Sequence, residues 1–373
     1  MTTKLLTNSV DLEKSTEELS TLPYRRGNFA SRNWGHEFHF LVSYPSKLKP
    51  SIAYHLIKLF TKEGEIVLDP FSGVGTIPFE ACSQGRIGYG SDISPVAYHA
   101  TSAKVDPPSI RQAERQLDEL ETFIEHHKKN IEVDVEKEIV SYYHPETLKE
   151  ILAAKKFFEN TPGKYYSFLI ACTLHILHGN RPYALSRRSH NIMPWPPKGE
   201  FIYKPLMRSL REKVHRMLEK GLPLGFVRGK AFQEDVFNLS FPDSSVDCII
   251  TSPPFYSNRD FLRMNRIRLW FCGWNYSKQN EMKTAFLEHQ KDLSIYRLVF
   301  RQFYRILKNN RLCIMHMGVV KNIDMALAIA PYAQAEGFEI VSTIYEDTSH
   351  LESHGITDRG AAKKHQFLIL RKV

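Results

Sequence analysis

The chain lacks any run of about 18 apolar residues, so no membrane span is expected. Residues 1–22 are polar, carry acidic residues and contain no apolar core, which excludes a signal-peptide reading of that segment. Cysteine is scarce: Cys82, Cys172, Cys248, Cys272 and Cys313 are scattered, mostly within apolar runs, and form no CxxC pair. That spacing argues against a zinc site and a disulfide framework, and a reducing, cytoplasmic compartment is expected. His178 and His190 have no accompanying carboxylate or cysteine ligand set, so no metal is expected. Internal repeats and low-complexity segments are also missing.

With 373 residues, the chain is long enough for one large α/β domain with an insertion, or for two domains. The net charge of +9 is unevenly spread. Residues 160–230 hold 13 Lys or Arg against 3 Asp or Glu, whereas residues 107–159 hold 8 against 12. A basic segment beside an acidic one reads as a polyanion-facing surface or as a solvated basic helix face.

Residues 1–30 read as a flexible lead-in. Apolar residues at helical spacing predict a helix over 51–60, with Ile52, Leu56, Ile57, Leu59 and Phe60 on one face. A buried strand is expected at 65–68, a glycine turn at 69–76, a helix at 77–83 and a second strand at 87–91. This is the βαβ half of a doubly wound α/β sheet. Pro107-Pro108 interrupts the pattern. Helices follow to about residue 177, then an apparently irregular stretch at 179–199 and a basic helix at 204–219. Strand patterns return at 231–236, 246–250, 311–316, 338–344 and 367–370, with a helix at 296–307. One α/β fold therefore spans 31–106 and 231–373, and a mostly helical, basic region at 107–230 is inserted within it.

Two turns carry the chemistry. In Asp69-Pro70-Phe71-Ser72-Gly73-Val74-Gly75-Thr76, Gly73 and Gly75 let backbone approach a ligand at a strand's carboxyl end. Asp69 can hold a cofactor amino group or order the loop. Asp92, closing the next strand, stands where an acid commonly takes ribose hydroxyls. Such glycine turns also occur in other nucleotide-binding proteins and as plain turns. In Thr251-Ser252-Pro253-Pro254-Phe255, a rigid, polar, aromatic-tipped turn ends an apolar strand.

Together these two strings resemble the signature motifs of the DNA amino-methyltransferases, closest to the N4-cytosine branch. The resemblance implies a Rossmann-like class I S-adenosylmethionine-dependent fold and S-adenosyl-L-methionine as cofactor. It places Asp69, Pro70, Phe71, Ser72, Gly73, Gly75 and Thr76 at the cofactor. Residues 87–93 resemble the family's acidic second motif, adding Asp92 and Ile93. Residues 44–50 resemble the segment that folds over the methionine end, adding Tyr44, Pro45 and Lys47. Asp235, or its neighbour Glu234, matches the acid placed near the adenine.

The resemblance also makes Ser252, Pro253, Pro254 and Phe255 the catalytic turn. An exocyclic base amine is a poor nucleophile because its lone pair is conjugated with the ring. Catalysis needs acceptors for its N–H bonds and a base fixed in line with the methyl. Ser252 Oγ and the Pro253 carbonyl supply two polar contacts, and Phe255 can stack on a base turned out of the helix. The Ser-Pro-Pro-aromatic form goes mostly with cytosine N4. Adenine N6, RNA guanine N2 and a silent DNA-binding subunit are the alternatives.

The stretch 178–190 mixes basic, aromatic and hydrogen-bonding residues and resembles one in a branch of the family. The resemblance makes the inserted region target-recognising and assigns Arg181, Tyr183, Ser186, Arg187, Arg188 and His190 to DNA; the alternative is a structural loop covering the active site. Arg259 and Arg263, with further arginines through Arg268, are expected near the target base. The loop at 354–360 is expected to line the site or to be a hairpin turn. The partner implied is double-stranded DNA in a bacterial or archaeal cytoplasm, with a separately encoded restriction endonuclease as a possible associate. Monomer and dimer stay open.

Overall fold

The computed structural model describes residues 11–31, 33–44, 47–161, 165–190, 193, 195–254, 260–290, 292–320, 322–347 and 362–373. Pro45, Phe255, Arg259 and the 354–360 loop lie outside these. Among the described residues, no helix is long and apolar enough to cross a membrane. No group of three or more His, Cys, Asp or Glu among the described residues is placed to hold a metal ion.

The strands are β1 (Ile66–Asp69), β2 (Ile87–Asp92), β3 (Lys230–Gln233), β4 (Val246–Thr251), β5 (Leu307–Val320), β6 (Ile323–Asp324), β7 (Phe338–Asp347) and β8 (Ala362–Lys372). They form one sheet in the order β3-β2-β1-β4-β5-β8-β7, with the short β6 paired to β5. The pairs from β3 through β5 are parallel, and β8 runs antiparallel to both β5 and β7.

Alternation along the central strands explains why they are apolar throughout. Val67, Cys248 and Ile250 face one core with Ile52, Leu56 and Ile57 of helix Pro50–Phe60. Leu68 and Ile249 face the other core with Val299, Phe300 and Phe303 of helix Tyr296–Ile306. Strands covered on both faces bury both sets of side chains. Pro50 opens the first helix at a position where its missing N–H costs nothing.

The first 30 residues are not a loose lead-in where they are described. Helix Leu12–Ser20 packs Leu19 into the sheet core beside Tyr24. The Tyr24 hydroxyl donates to Glu346 Oε2 at 2.9 Å, and Arg25 pairs with the other oxygen. Two buried apolar anchors and one ion pair outweigh the polar composition that predicted disorder.

The inserted region is helical as expected, with helices Ile110–His127, Lys137–Tyr142, Pro145–Asn160, Ser167–Ile176 and Leu206–Leu218. A capping box of Ser109 and Gln112 starts the first of these. Its core is not separate. Leu117, Ile151, Leu174 and Leu210 share one cluster with Phe38, Val96 and Ala100 from the first half, and with Ile267 and Trp270 from the second. Charge asymmetry is partly internal as well. Arg211 of the basic helix bonds Glu114, Asp118 and Glu121 of the acidic one at 3.2, 2.7 and 2.7 Å. His215 also bonds Glu114.

Candidate active site

At the carboxyl ends of β1, β2 and β4 the chain encloses a cavity of about 300 Å³. Its wall combines the turn after β1, the end of β2, residues 234–236, Ser252 to Pro254, and a wall from Ala285 to Glu288. Tyr44, Lys47, Phe261 and His316 complete it. This is the crevice outside the strand ends where open α/β sheets bind ligands.

The turn after β1 is built by its own backbone. Gly73 N–H donates to Asp92 Oδ2 at 2.9 Å, and Ser94 N–H to Asp92 Oδ1 at 2.9 Å. Asp92 thereby fixes the loop to the end of β2. Gly73 (φ +50°) and Gly75 (φ +70°) are both left-handed but differ in function. A Cβ on Gly73 would meet only the Tyr44 ring, at 3.5 Å, whereas one on Gly75 would lie 2.9 Å from Thr101 Cα. Gly73 keeps the cavity wall low, and Gly75 lets the loop sit on helix Pro95–Val105. Thr76 Oγ1 is buried at the cavity with no partner among the described residues.

Asp69 is buried at the end of β1. Its Oδ1 accepts from Thr251 Oγ1 at 2.7 Å and from Phe71 N–H at 3.2 Å. Burial pushes its carboxyl up to about 7, and burial likewise raises Asp92 to about 6 and Glu288 to about 7. The removal of these groups from water disfavours the charged form. Asp235 Oδ1 accepts from Phe237 N–H at 3.0 Å, while Glu234 folds back onto Ser240. Lys47 donates to the His39 carbonyl at 2.8 Å, and burial lowers its amine to about 8.

At the end of β4, Ser252 Oγ lies 3.3 Å from His316 Nδ1. His316 lies inside the buried stretch of β5, and burial, then the neighbouring His365 and Arg25, hold its pKa well below the ordinary value. A neutral imidazole whose own proton sits on Nε2 can accept the serine proton at Nδ1, which leaves the serine lone pairs free. The His365 ring stacks on it with centroids 5.1 Å apart.

The strand order, with one reversed strand between β5 and β7, is that of the Rossmann-like class I methyltransferase fold. Residues 14–103 match the family model described as DNA methylase. Over 302 residues the chain is 22% identical to the type II methyltransferase M.MvaI of Kocuria varians, covering 72% of this chain and 64% of that protein. It is 23% identical to the type II methyltransferase M.BsoBI of Geobacillus stearothermophilus, covering 68% of this chain and 56% of that one. The chain thus spans less than two thirds of these relatives' length. A solved S-adenosylmethionine-dependent methyltransferase of Methanosarcina mazei aligns with 89% of this chain and 99% of its own, at 13% identity and a TM-score of 0.33.

The cavity brings together Tyr44, Lys47, Asp69, Pro70, Phe71, Ser72, Gly73, Thr76, Asp92, Ile93, Asp235, Ser252, Pro253 and Pro254. Gly75 is beneath the loop instead. The 178–190 stretch has no helix or strand, as expected, and isolated bridges and side-chain bonds tie it down. Arg188 bridges Gly179 on one side and Lys198 on the other. Ser186 is buried, its hydroxyl donating to the Arg187 carbonyl, so it presents nothing at the surface. Arg187 donates to the carbonyls of Gly199 and Ser141 at 2.8 and 3.1 Å and covers the Phe201 ring. The Tyr183 hydroxyl lies 3.1 Å from His175 Nε2. His190 Nδ1 accepts from Met193 N–H at 3.0 Å. Arg181, Arg188, His190 and Arg263 are exposed. Arg268 is fully buried, donating to the Leu174 carbonyl at 3.0 Å, and cannot reach a phosphate.

Sequence reasoning missed Arg25, Glu288, His316 and His365. Only His316 left a signal, as a polar residue at the carboxyl end of an expected strand. Glu288 lies on an irregular segment that no periodicity marks.

Proposed function

We propose that this chain transfers a methyl group from S-adenosylmethionine to the N4 amine of cytosine in duplex DNA, as the modification arm of a restriction system. One observation carries the reading: the glycine turn after β1 and the Ser252–Pro254 turn after β4 line the same cavity. The cavity's residues fit the donor. Gly73 leaves space that a side chain would fill, and Thr76 Oγ1 and Glu288 are buried polar groups awaiting partners. Tyr44, Lys47, Asp69, Phe71, Ser72, Gly73, Thr76, Asp92, Ile93 and Asp235 would hold it. When bound, the donor supplies an electrophilic methyl on its sulfonium.

This chain's own contribution is positioning and proton handling. Ser252 Oγ and the Pro253 carbonyl accept from the target amine, so its nitrogen can rehybridise as it attacks. As the methylated nitrogen sheds a proton, Ser252 Oγ takes it and passes its own to His316 Nδ1. Pro253 and Pro254 keep the turn rigid. The exposed Arg181, Arg188 and Arg263 supply phosphate contacts.

The test is nucleoside mass spectrometry on DNA from a methylation-free host expressing the chain. N4-methylcytosine is expected. N6-methyladenine would keep the donor and DNA but overturn the cytosine assignment. Neither mark, from folded protein that binds the donor, would overturn the DNA substrate.

A further inference from the structure

One carboxylate in the cavity wall plays no part in this reaction. Glu288 stands on the 3-10 turn Leu287–His289 and is 5% exposed. Neither of its carboxyl oxygens has a hydrogen-bond partner among the described residues. The backbone amides of Glu288 itself and of Phe261 are close enough to favour its charged form, but no side chain partners it.

The other acids at the cavity each already hold a donor of the protein, Asp69 and Asp235 through Oδ1 alone. Asp69 holds Thr251, Asp92 holds the glycine turn, Asp235 holds Phe237 N–H, and Glu234 holds Ser240. Of the basic side chains in the wall, Arg25 is committed to Glu346 and Lys47 to the His39 carbonyl. The charged side chains felt at Glu288 are Asp260 and Asp92, both acidic, and its influence reaches the Tyr44 and Tyr296 hydroxyls. A buried carboxylate without a cation is costly, and one facing a cavity is compensated by what enters the cavity.

We propose that Glu288 binds the α-ammonium of the methyl donor's methionine half; this rests on the S-adenosylmethionine reading above. The choice follows from chemistry. Carboxylate oxygens with no side-chain partner take hydrogen-bearing donors, and a sulfonium has none. Ribose hydroxyls and the adenine amine are donors but bring no charge. The ammonium brings both, with three N–H groups for two oxygens.

The test is calorimetry with two ligands on wild type and Glu288→Gln. One ligand is S-adenosylhomocysteine. The other is its deaminated analogue, which keeps the carboxylate and loses only the ammonium. Glu288→Gln should weaken S-adenosylhomocysteine by about 10- to 100-fold, the loss of a charge-assisted hydrogen bond. Its affinity for the deaminated analogue should be unchanged or better. Equal losses for both ligands, or no loss for either, would overturn the assignment to the ammonium. Wild type that binds neither ligand would overturn the donor reading and this inference with it. Should Glu288→Gln fail to fold, Glu288→Asp is measured instead, and its loss should again be confined to S-adenosylhomocysteine.

Discussion

Thr251 Oγ1 donates a 2.7 Å hydrogen bond to Asp69 Oδ1, joining the last residue of β4 to the last residue of β1. The turns that follow these two strands are the two halves of the candidate site. Their spacing is therefore set by one side-chain pair as well as by the sheet register. Thr251→Val should leave Asp69 short of a buried donor and cost about 1–3 kcal/mol of stability. Donor affinity should fall with it. Urea unfolding and calorimetry measure the two effects; unchanged values for both would show that the sheet alone sets the spacing.

The two glycines of the first turn should separate by phenotype. Gly73→Val carries the same left-handed strain but meets no backbone, so it should remove donor binding at a smaller cost in stability than a side chain at Gly75. Gly75→Ala meets the backbone of Thr101 and a left-handed φ, and should destabilise the fold by roughly 1–2 kcal/mol or more. Thermal melts beside donor titrations give the comparison.

Ser252→Ala should lower single-turnover methyl transfer by roughly 10²-fold, with donor affinity unchanged. His316→Leu, which leaves the hydroxyl but removes its acceptor, should lower it less. An equal fall in donor affinity for either variant would mean that the residue shapes the cofactor pocket instead.

Stability without ligand should fall as pH rises across the range where the buried acids titrate. Asp69, Asp92 and Glu288 have folded pKa values of about 7, 6 and 7, above ordinary values of 3.8, 3.8 and 4.5. The folded chain keeps protons that the unfolded chain releases. Their contribution is fully present below about pH 4 and lost as pH rises through about 6 to 7. Asp69→Asn keeps an acceptor for Thr251 and Phe71 and removes one titration, so its melting temperature should depend less steeply on pH over that range. A slope equal to wild type would count against the raised value at Asp69.

Arg181→Ala with Arg188→Ala should weaken DNA binding and reduce its salt slope by about 1–2, roughly one for each phosphate left without its arginine. Arg187→Ala should act differently. Its guanidinium ties the stretch to Gly199 and Ser141, so the loss should appear as lower thermal stability with the salt slope unchanged.

The sheet and the two turns were legible because both announce themselves locally. Apolar runs such as 246–250 end in residues of special geometry, and those ends must cluster at one edge of a parallel sheet. The rest depended on tertiary contact. Ser186 and Arg187 read as ligand-facing because their composition is polar; the carbonyls that absorb them come from residues up to 46 positions away. Arg268 looked like a phosphate contact until the Leu174 carbonyl took its Nε. Glu288 was invisible because an isolated acid in an irregular stretch is normally solvated, and only packing shows that this one is not.

The shared core of the inserted helices bears on how the chain can be re-engineered. Leu117, Leu174 and Leu210 interlock with Phe38, Val96 and Trp270 and form no core of their own. Residues 107–230 therefore cannot be exchanged between relatives as a free-standing cassette. A working chimera would have to carry helix Pro95–Val105 and the 262–271 segment across with them. Any drift in specificity would then have to come through surface substitutions on a fixed frame, since wholesale replacement would leave a hole beside the catalytic sheet.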